Sequence, residues 1–355
     1  MSCLDFINNF TYGFSKEAIF QARDSNKLLT LDLELSRICN YNCKYCYSSA
    51  GVQLDKELSY MELCDIVDQA ESLGVQSIVI VGGGEPLLYP YLKNIISYIF
   101  EKQIRIVLFT NGALLDKDMS HFLREHNVFP VLKANGISPK TINWLCGNTR
   151  AYVNFMDAVS CLQDVGYTDR EGTFGISTII CRQNYNEIVP LWKWCRENKL
   201  IPYFERLCPQ GRALRHNMQI STKELEDIFY KLFQLDKKEY NILWDAVHPP
   251  IAGASCSRHY YSLYIKSNGD AIPCSGIDIP VGNIREKELQ QIIMGSNVIQ
   301  DLRHIDSFIK GKCKHCDDAD ECYGCRGNAY QICGDYLAED PLCWKVGKSA
   351  ENFCG

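Results

Sequence analysis

Apolar and polar positions trade periods repeatedly between residues 30 and 207. Leu31-Asp32-Leu33-Glu34-Leu35 alternates every second residue, which predicts a strand over 31–36 with two unlike faces. Leu63, Ile66, Val67 and Ala70 then fall at helical spacing and predict a helix over 60–73. The alternation continues, with strands expected at 77–81, 105–109, 128–133, 173–180 and 201–207. Helices are expected at 91–101, 116–125, 148–165 and 187–196. Strands separated by helices pair in parallel through right-handed crossovers. An open doubly wound sheet or an incomplete barrel satisfies that pattern. The reading taken is α/β, a partial (β/α)6 TIM-like barrel over 27–220 behind a short cap at 1–26.

Both architectures place chemistry at the C-terminal strand ends. Every unusual motif of this region lies there. The first strand runs into Cys39-Asn40-Tyr41-Asn42-Cys43-Lys44-Tyr45-Cys46, three thiols at spacing C-x3-C-x2-C. The second ends in Gly82-Gly83-Gly84-Glu85, the third in Thr110-Asn111-Gly112, and the sixth precedes Pro209-Gln210-Gly211-Arg212. Three converging thiolates suit a soft metal centre. A structural zinc site would want a fourth ligand, and no further Cys or His follows nearby. On a cubane cluster, three thiolates leave one iron open to a small molecule.

Beyond an amphipathic helix at 221–235, in a helical linker assigned to 221–250, the pattern changes. Glycine, proline and cysteine rise, and helical periodicity fades except around 288–293. Such a segment needs staples, and metals are the natural ones. A small irregular α+β cluster-binding domain is expected at 251–355.

Composition narrows the setting. The chain of 355 residues has 46% hydrophobic and 23% charged residues, ordinary for a globular protein. A net charge of −6 argues against nucleic acid as a partner. No apolar run approaches the roughly 20 residues that cross a bilayer, so no membrane association is expected. Nineteen cysteines fit a disulfide protein only in a small secreted chain. Met1-Ser2-Cys3-Leu4-Asp5-Phe6 lacks a signal-like start, and the count is odd with metal-like spacings. A reduced, cytoplasmic, iron–sulfur protein is therefore expected, in a low-oxygen setting.

The C-x3-C-x2-C loop, with its aromatic residue before the last cysteine, resembles the radical S-adenosylmethionine (SAM) superfamily. The resemblance extends to Gly83-Gly84-Glu85 and Thr110-Asn111-Gly112. It implies that Cys39, Cys43 and Cys46 hold a [4Fe–4S] cluster whose open iron takes the amino and carboxylate groups of SAM. It also implies that Tyr45 lies beside the adenine and that Gly83, Gly84 and Glu85 serve the SAM amino group. In this reading the glycines let backbone approach the ligand, and Glu85 accepts from the ammonium. Thr110, Asn111, Ser177 and Arg212 complete the candidate cofactor-binding set; Ser177 could instead fill the interior, and Arg212 could serve a salt bridge. Lys133 and Asn135 share a strand face, open to SAM, to a substrate anion or to a neighbouring acid.

Cys256, Gly269-x4-Cys274, Cys313-x2-Cys316-x5-Cys322-x2-Cys325 and Cys343 resemble the SPASM domain, an extension that carries two further [4Fe–4S] clusters. By position the resemblance gives Cys313, Cys316, Cys322 and Cys343 to an outer cluster, and Cys256, Cys274 and Cys325 to an inner one. Two residues separate Cys322 from Cys325 where three are usual. The inner cluster's fourth ligand stays open between Cys333 and an unliganded iron. Cys64, Cys161 and Cys195 read as buried hydrophobes. Cys208 reads as a packed thiol or as a hydrogen donor to substrate.

The family's chemistry implies one-electron cleavage of SAM and hydrogen-atom abstraction, with an electron donor such as flavodoxin or ferredoxin. Auxiliary clusters imply net oxidation. The preferred substrate is a peptide or protein side chain; a small molecule such as an amino sugar, nucleoside or tetrapyrrole is the alternative. A non-catalytic electron carrier is the third reading, and it leaves the Gly-Gly-Glu loop without a use. Ser275 follows Cys274 where sulfatase maturases carry an Asp, which lowers that activity. About 30 residues precede the first strand, less room than a leader-binding domain takes.

Overall fold

The computed structural model describes residues 13–169, 174–244 and 247–346. Helix α1 (Lys16–Asp24), capped by Ser15, precedes strand β1 (Thr30–Glu34). Alternation follows: α2 (Tyr60–Ser72), β2 (Ser77–Val81), α3 (Leu92–Glu101), β3 (Arg105–Thr110), α4 (Lys117–Glu125), β4 (Val128–Lys133), α5 (Pro139–Cys146), α6 (Ala151–Asp164), β5 (Gly175–Ile180), α7 (Ile188–Glu197) and β6 (Ile201–Arg206). The expected elements all form, within a few residues at their ends. Thr173, at the start of the expected fifth strand, lies outside the described residues. Helix α5 was not anticipated, although Ser138 caps it, Pro139 opens it and left-handed Gly147 closes it.

Helix α8 (Thr222–Leu235) starts at a capping box between Ser221 and Glu224. It stays against α7: buried Asp236, just past its end, accepts from Trp192, Trp244 and Arg196. The chain then returns to the sheet. Strand β7 (Ser262–Ile265) pairs in parallel with β1, and β8 (Asp270–Ile272) and β9 (Gly282–Asn283) continue antiparallel. The result is a nine-stranded sheet in the order β6-β5-β4-β3-β2-β1-β7-β8-β9, open rather than closed.

More regular structure forms after residue 250 than periodicity suggested. Besides the hairpin there are α9 (Leu289–Gly295), α10 (Asn297–Arg303), α11 (Ile305–Phe308) and α12 (Arg326–Cys333). Three of the four have seven or eight residues over barely two turns, too short for a periodic signal to accumulate, and α11 has only four. A small core of Ile277, Leu302, Ile305, Ile309 and Tyr323 serves this region. Buried Arg303 fastens it to the start of the chain by donating to the carbonyls of Arg23 and Lys27.

Strand alternation sorts the sheet's two faces. Leu31, Leu33, Ile78, Ile80, Ile106, Leu108, Leu132 and Ile176 pack under the helices in the main core. Their neighbours Val79, Val107, Val131 and Tyr203 form a second, smaller cluster on the opposite face. At the C-terminal strand ends that second face turns polar, with buried Asp32, Glu34 and Ser177. A polar inner face at one end of an apolar sheet is where a ligand site is built.

Candidate functional site

The cysteine loop is held by backbone rather than by packing. Gly84 N–H donates to the Ser36 carbonyl and Glu85 N–H to the Ile38 carbonyl, both at 2.8 Å, so the glycine turn lies against the loop's entry. Ser48 Oγ donates to the Gly83 carbonyl at 2.6 Å and Tyr47 Oη to the Gly82 carbonyl at 2.8 Å. The glycines are spent on this contact. A Cβ on Gly84 would sit 2.0 Å from the Ile38 oxygen, and one on Gly83 2.5 Å from the Glu34 carboxyl. They make room for the loop and a buried acid, and both also line the cavity, where the sequence reading has them admit a ligand.

Arg212 closes the loop from the other side. Its backbone N–H donates to the Cys46 carbonyl, its Nε to the Cys43 carbonyl and its Nη1 to the Ala50 carbonyl. Left-handed Gly211 allows that approach, since a Cβ there would meet the Cys46 and Tyr47 carbonyls at 2.4 and 2.3 Å. Two of its guanidinium N–H groups are thereby committed to carbonyls of the loop.

A cavity of about 270 Å³ opens between the loop and the inner face of the sheet. Cys39, Cys43, Cys46 and Tyr45 line it, with Gly83, Gly84, Glu85, Thr110, Asn111, Ser177 and Arg212. All eight candidate cofactor residues and all three loop thiols therefore meet at one place. Glu85 is buried, and burial raises its pKa against the opposing Asn111, Thr110 and Leu87 donors. Its Oε1 accepts from Thr110 Oγ1 and Leu87 N–H, and its Oε2 from Asn111 N–H. A carboxylate has about four acceptor positions, so one on Oε2 is left for a ligand ammonium.

Lys133 reaches the cavity, whereas Asn135 does not line it. Asn135 Oδ1 accepts from Ile179 N–H at 2.7 Å and ties strand ends together. Lys133 Nζ donates to Ser177 Oγ at 3.0 Å and stands over the Tyr45 ring at 5.6 Å. Burial lowers its pKa, and nearby Glu205 opposes that shift.

Other lining residues had no place in the sequence reading. Glu205 and Tyr203 are on the inner face of β6, and Arg206 and Arg258 carry charge to the wall. Arg258 pairs with Asp32, and Arg206 with buried Asp340. Glu34 accepts from Tyr264 Oη, which stands 2.7 Å from Tyr47 Oη. The alternation of Leu31 to Leu35 already put Asp32 and Glu34 on one buried face, the signal that could have found them.

The C-terminal cysteines form two groups. Cys322 acts electrostatically on both Cys313 and Cys343, and Lys345 feels Cys316 and Cys343. Separately, Cys325 and Cys274 act on Cys256. Burial pushes the thiols of Cys39, Cys256 and Cys343 up to about 12 and that of Cys274 to about 11. Buried thiolates are costly unless a metal supplies positive charge.

Yet the backbone is arranged for thiolates. N–H groups point at Cys46 from Ala50 (3.4 Å), at Cys322 from Gly324 (3.2 Å), at Cys313 from Asp340 (3.3 Å) and at Cys325 from Asn328 (3.5 Å). Backbone bonds likewise reach Cys39, Cys256, Cys274 and Cys343. Hydrogen bonds to sulfur are a normal part of iron–sulfur ligation. Among the described residues no three Cys, His, Asp or Glu close around a point as one metal ion requires. A cubane asks for a wider set, one thiolate per iron. The donor set fits clusters.

The cysteine loop, the glycine turn against it and the open parallel sheet define a radical SAM protein. The chain belongs to the radical SAM superfamily, matched over residues 33–195, and carries an iron–sulfur cluster-binding SPASM domain, matched over 256–318. It is an enzyme family that uses [4Fe–4S] clusters and SAM. The chain is 26% identical to the AdoMet-dependent heme synthase of Methanosarcina barkeri, covering 89% of this chain and 96% of that protein. It is 24% identical to the PqqA peptide cyclase of Granulibacter bethesdensis, covering 87% and 85%. Its fold is similar to that of Streptococcus suis SuiB bound to precursor peptide SuiA, with TM-score 0.72, 20% identity and coverage of 91% and 78%. Among the described residues no helix is long and apolar enough to cross a membrane.

Proposed function

We propose that this chain abstracts a hydrogen atom from a substrate seated in the cavity and completes a net oxidation. Cys39, Cys43 and Cys46 hold the SAM-binding cluster. Cys313, Cys316, Cys322 and Cys343 hold an outer auxiliary cluster, and Cys256, Cys274 and Cys325 bind an inner one. With SAM bound, the first cluster supplies a 5′-deoxyadenosyl radical and methionine once an external low-potential donor delivers one electron. The chain's own residues orient and enclose. Arg212 and the glycine turn fix the thiols, and Glu85 offers its remaining acceptor position to the SAM ammonium. Tyr45 and Ser177 flank the nucleoside, and the inner face of the sheet excludes water.

The observation that carries this reading is a single cavity reaching from the Cys39, Cys43 and Cys46 thiols to Cys208 and to Ser275, the neighbour of Cys274. A substrate there stands between a radical source and an electron acceptor. An electron carrier alone would have no need of that enclosed space.

The substrate proposed is a peptide or protein side chain, in keeping with SuiB bound to its precursor peptide and with the PqqA peptide cyclase. The similarity to the heme synthase, over nearly the whole of that protein, favours a second reading in which a tetrapyrrole is oxidised. Anaerobically reconstituted protein given dithionite and SAM is expected to release 5′-deoxyadenosine and methionine, and absence of both overturns the enzyme reading. A peptide encoded beside the gene, and an iron tetrapyrrole, then separate the substrates: the true one accelerates 5′-deoxyadenosine release and is converted to an oxidised product of changed mass.

A further inference from the structure

The inner set of cysteines has three members, and a cubane has four irons. Cys208 leaves β6 by two residues and turns into the fold toward that set. Its Sγ lies 3.5 Å from the position a Cβ would take on Gly276, two residues beyond Cys274. A Cβ on Gly276 would in turn stand 2.7 Å from the Cα of Gly327, two residues beyond Cys325. Gln210 Nε2 donates to the Ser275 carbonyl at 2.8 Å, fastening the loop of Cys208 to the loop of Cys274. The thiols of Cys325 and Cys274 are the charged neighbours acting most strongly on Cys208, and the same two act on Cys256.

Arg206 adds a second sign. It is 6% exposed, is engaged with Asp340 and the Cys325 thiol, and lines the cavity beside Cys208. Among the described residues its Nη1 has no hydrogen-bond partner. A buried guanidinium N–H left over beside the Cys208 and Cys325 thiols calls for an anionic occupant, such as the sulfide of a cluster.

Cys333 competes poorly for the same role. Cys325 caps the N-terminus of α12 and Cys333 ends it, a separation of about 12 Å along the helix axis. Cys208 converges with Cys274 and Cys325 at the other end.

We propose that Cys208, from the loop after β6, is the fourth ligand of the inner cluster, which then joins the radical SAM sheet to the C-terminal domain. This rests on Cys256, Cys274 and Cys325 being the other three ligands. Four thiolates leave no iron for a substrate heteroatom to bind. The spacing within the C-terminal motif could not reveal such a ligand, since it comes from another domain.

A full-length background in which Cys39, Cys43 and Cys46 are alanine isolates the auxiliary clusters, with about eight irons per chain expected. Cubanes with only three thiolate ligands readily lose the unique iron on mild oxidation and give a [3Fe–4S] electron paramagnetic resonance signal. With Cys208 intact, ferricyanide is expected to produce little of it. Cys208→Ala should raise it to about one spin per chain, because one iron per chain loses its thiolate, and Cys333→Ala should leave it unchanged. About one spin with Cys208 intact overturns the proposal, as does no rise in Cys208→Ala at full iron content. If Cys208→Ala assembles only about four irons, reconstitution with added 2-mercaptoethanol supplies an external thiolate; a return toward about eight irons supports the proposal, and no return overturns it. A background chain that itself holds fewer than about eight irons overturns the auxiliary-cluster reading instead.

Discussion

The two cysteine-bearing regions solve the same problem by opposite means. In the loop of Cys39, Cys43 and Cys46 the thiols come from one short segment, and the surrounding chain only has to hold that segment's backbone. Gly83, Gly84, Gly211 and Arg212 do so through carbonyl contacts. In the C-terminal domain the thiols come from scattered segments around a small apolar core, so each group is assembled by tertiary structure. A local site can be complete while its surroundings vary. A dispersed site depends on the fold, and the fold on the site.

The largest effect should separate the regions outright. Replacing Cys39, Cys43 and Cys46 by alanine is expected to abolish 5′-deoxyadenosine formation and remove about four irons per chain, leaving the auxiliary clusters in place. Iron and sulfide analysis with absorbance spectroscopy checks this. Loss of all the iron would mean the two regions are one cooperative unit.

Next in size is the buried ion pair that supports the dispersed site. Asp340 is fully buried, pairs with Arg206 and accepts from Cys325 N–H at 2.7 Å. Asp340→Asn leaves the Arg206 charge buried without its partner, at a cost of about 3–5 kcal/mol. Chemical denaturation followed by the absorbance of the auxiliary clusters should show it, with the first cluster outlasting the others. Equal loss of all the clusters would contradict the contrast.

The local site should yield a smaller, kinetic effect. Arg212→Lys keeps the charge but cannot make both carbonyl bonds in the same fork geometry. Losing one charge-assisted bond of about 1.5–3 kcal/mol should raise the apparent KM for SAM about tenfold or more, with iron content unchanged. Steady-state 5′-deoxyadenosine assays across SAM concentrations measure it.

What was legible divides along the same line. The period switches of the first 207 residues gave six strands, and the C-x3-C-x2-C loop with Gly83-Gly84-Glu85 marked the site because these signals are local. Helix α5 was missed because its apolar face is only two turns long, though Ser138-Pro139 and Gly147 were there to be read. The return of β7 to pair with β1 could not be read, since Ser262–Ile265 is short and its partner lies more than 200 residues away. The contacts of Gly83 and Gly84 with the cysteine loop could not be read for a related reason. A glycine announces close approach, but whether to a ligand or to the Ile38 carbonyl depends on contacts beyond the motif.

The smallest expected effect concerns how the dispersed region is tied to the first domain at the surface. Arg285, just beyond β9, donates to Glu62 on α2 and to the carbonyls of Lys56 and Glu57. That bond, with Ser59 assisting, holds the Glu62 carboxyl at about 2. Glu62 therefore stays ionised in the folded chain where the unfolded chain would already have protonated it. The stabilisation is present above the ordinary carboxylate range and is lost as pH falls toward 2. The pair lies at the surface with both side chains about a third exposed, so screening holds its worth to about 1 kcal/mol or less. Glu62→Gln should lower stability by no more than that at neutral pH, and its deficit should shrink as pH falls below about 4.5, as read by anaerobic denaturation of the cluster-loaded chain at several pH values. A loss of several kcal/mol at neutral pH would show that the C-terminal domain leans on this surface tie as heavily as on the buried Arg206–Asp340 pair.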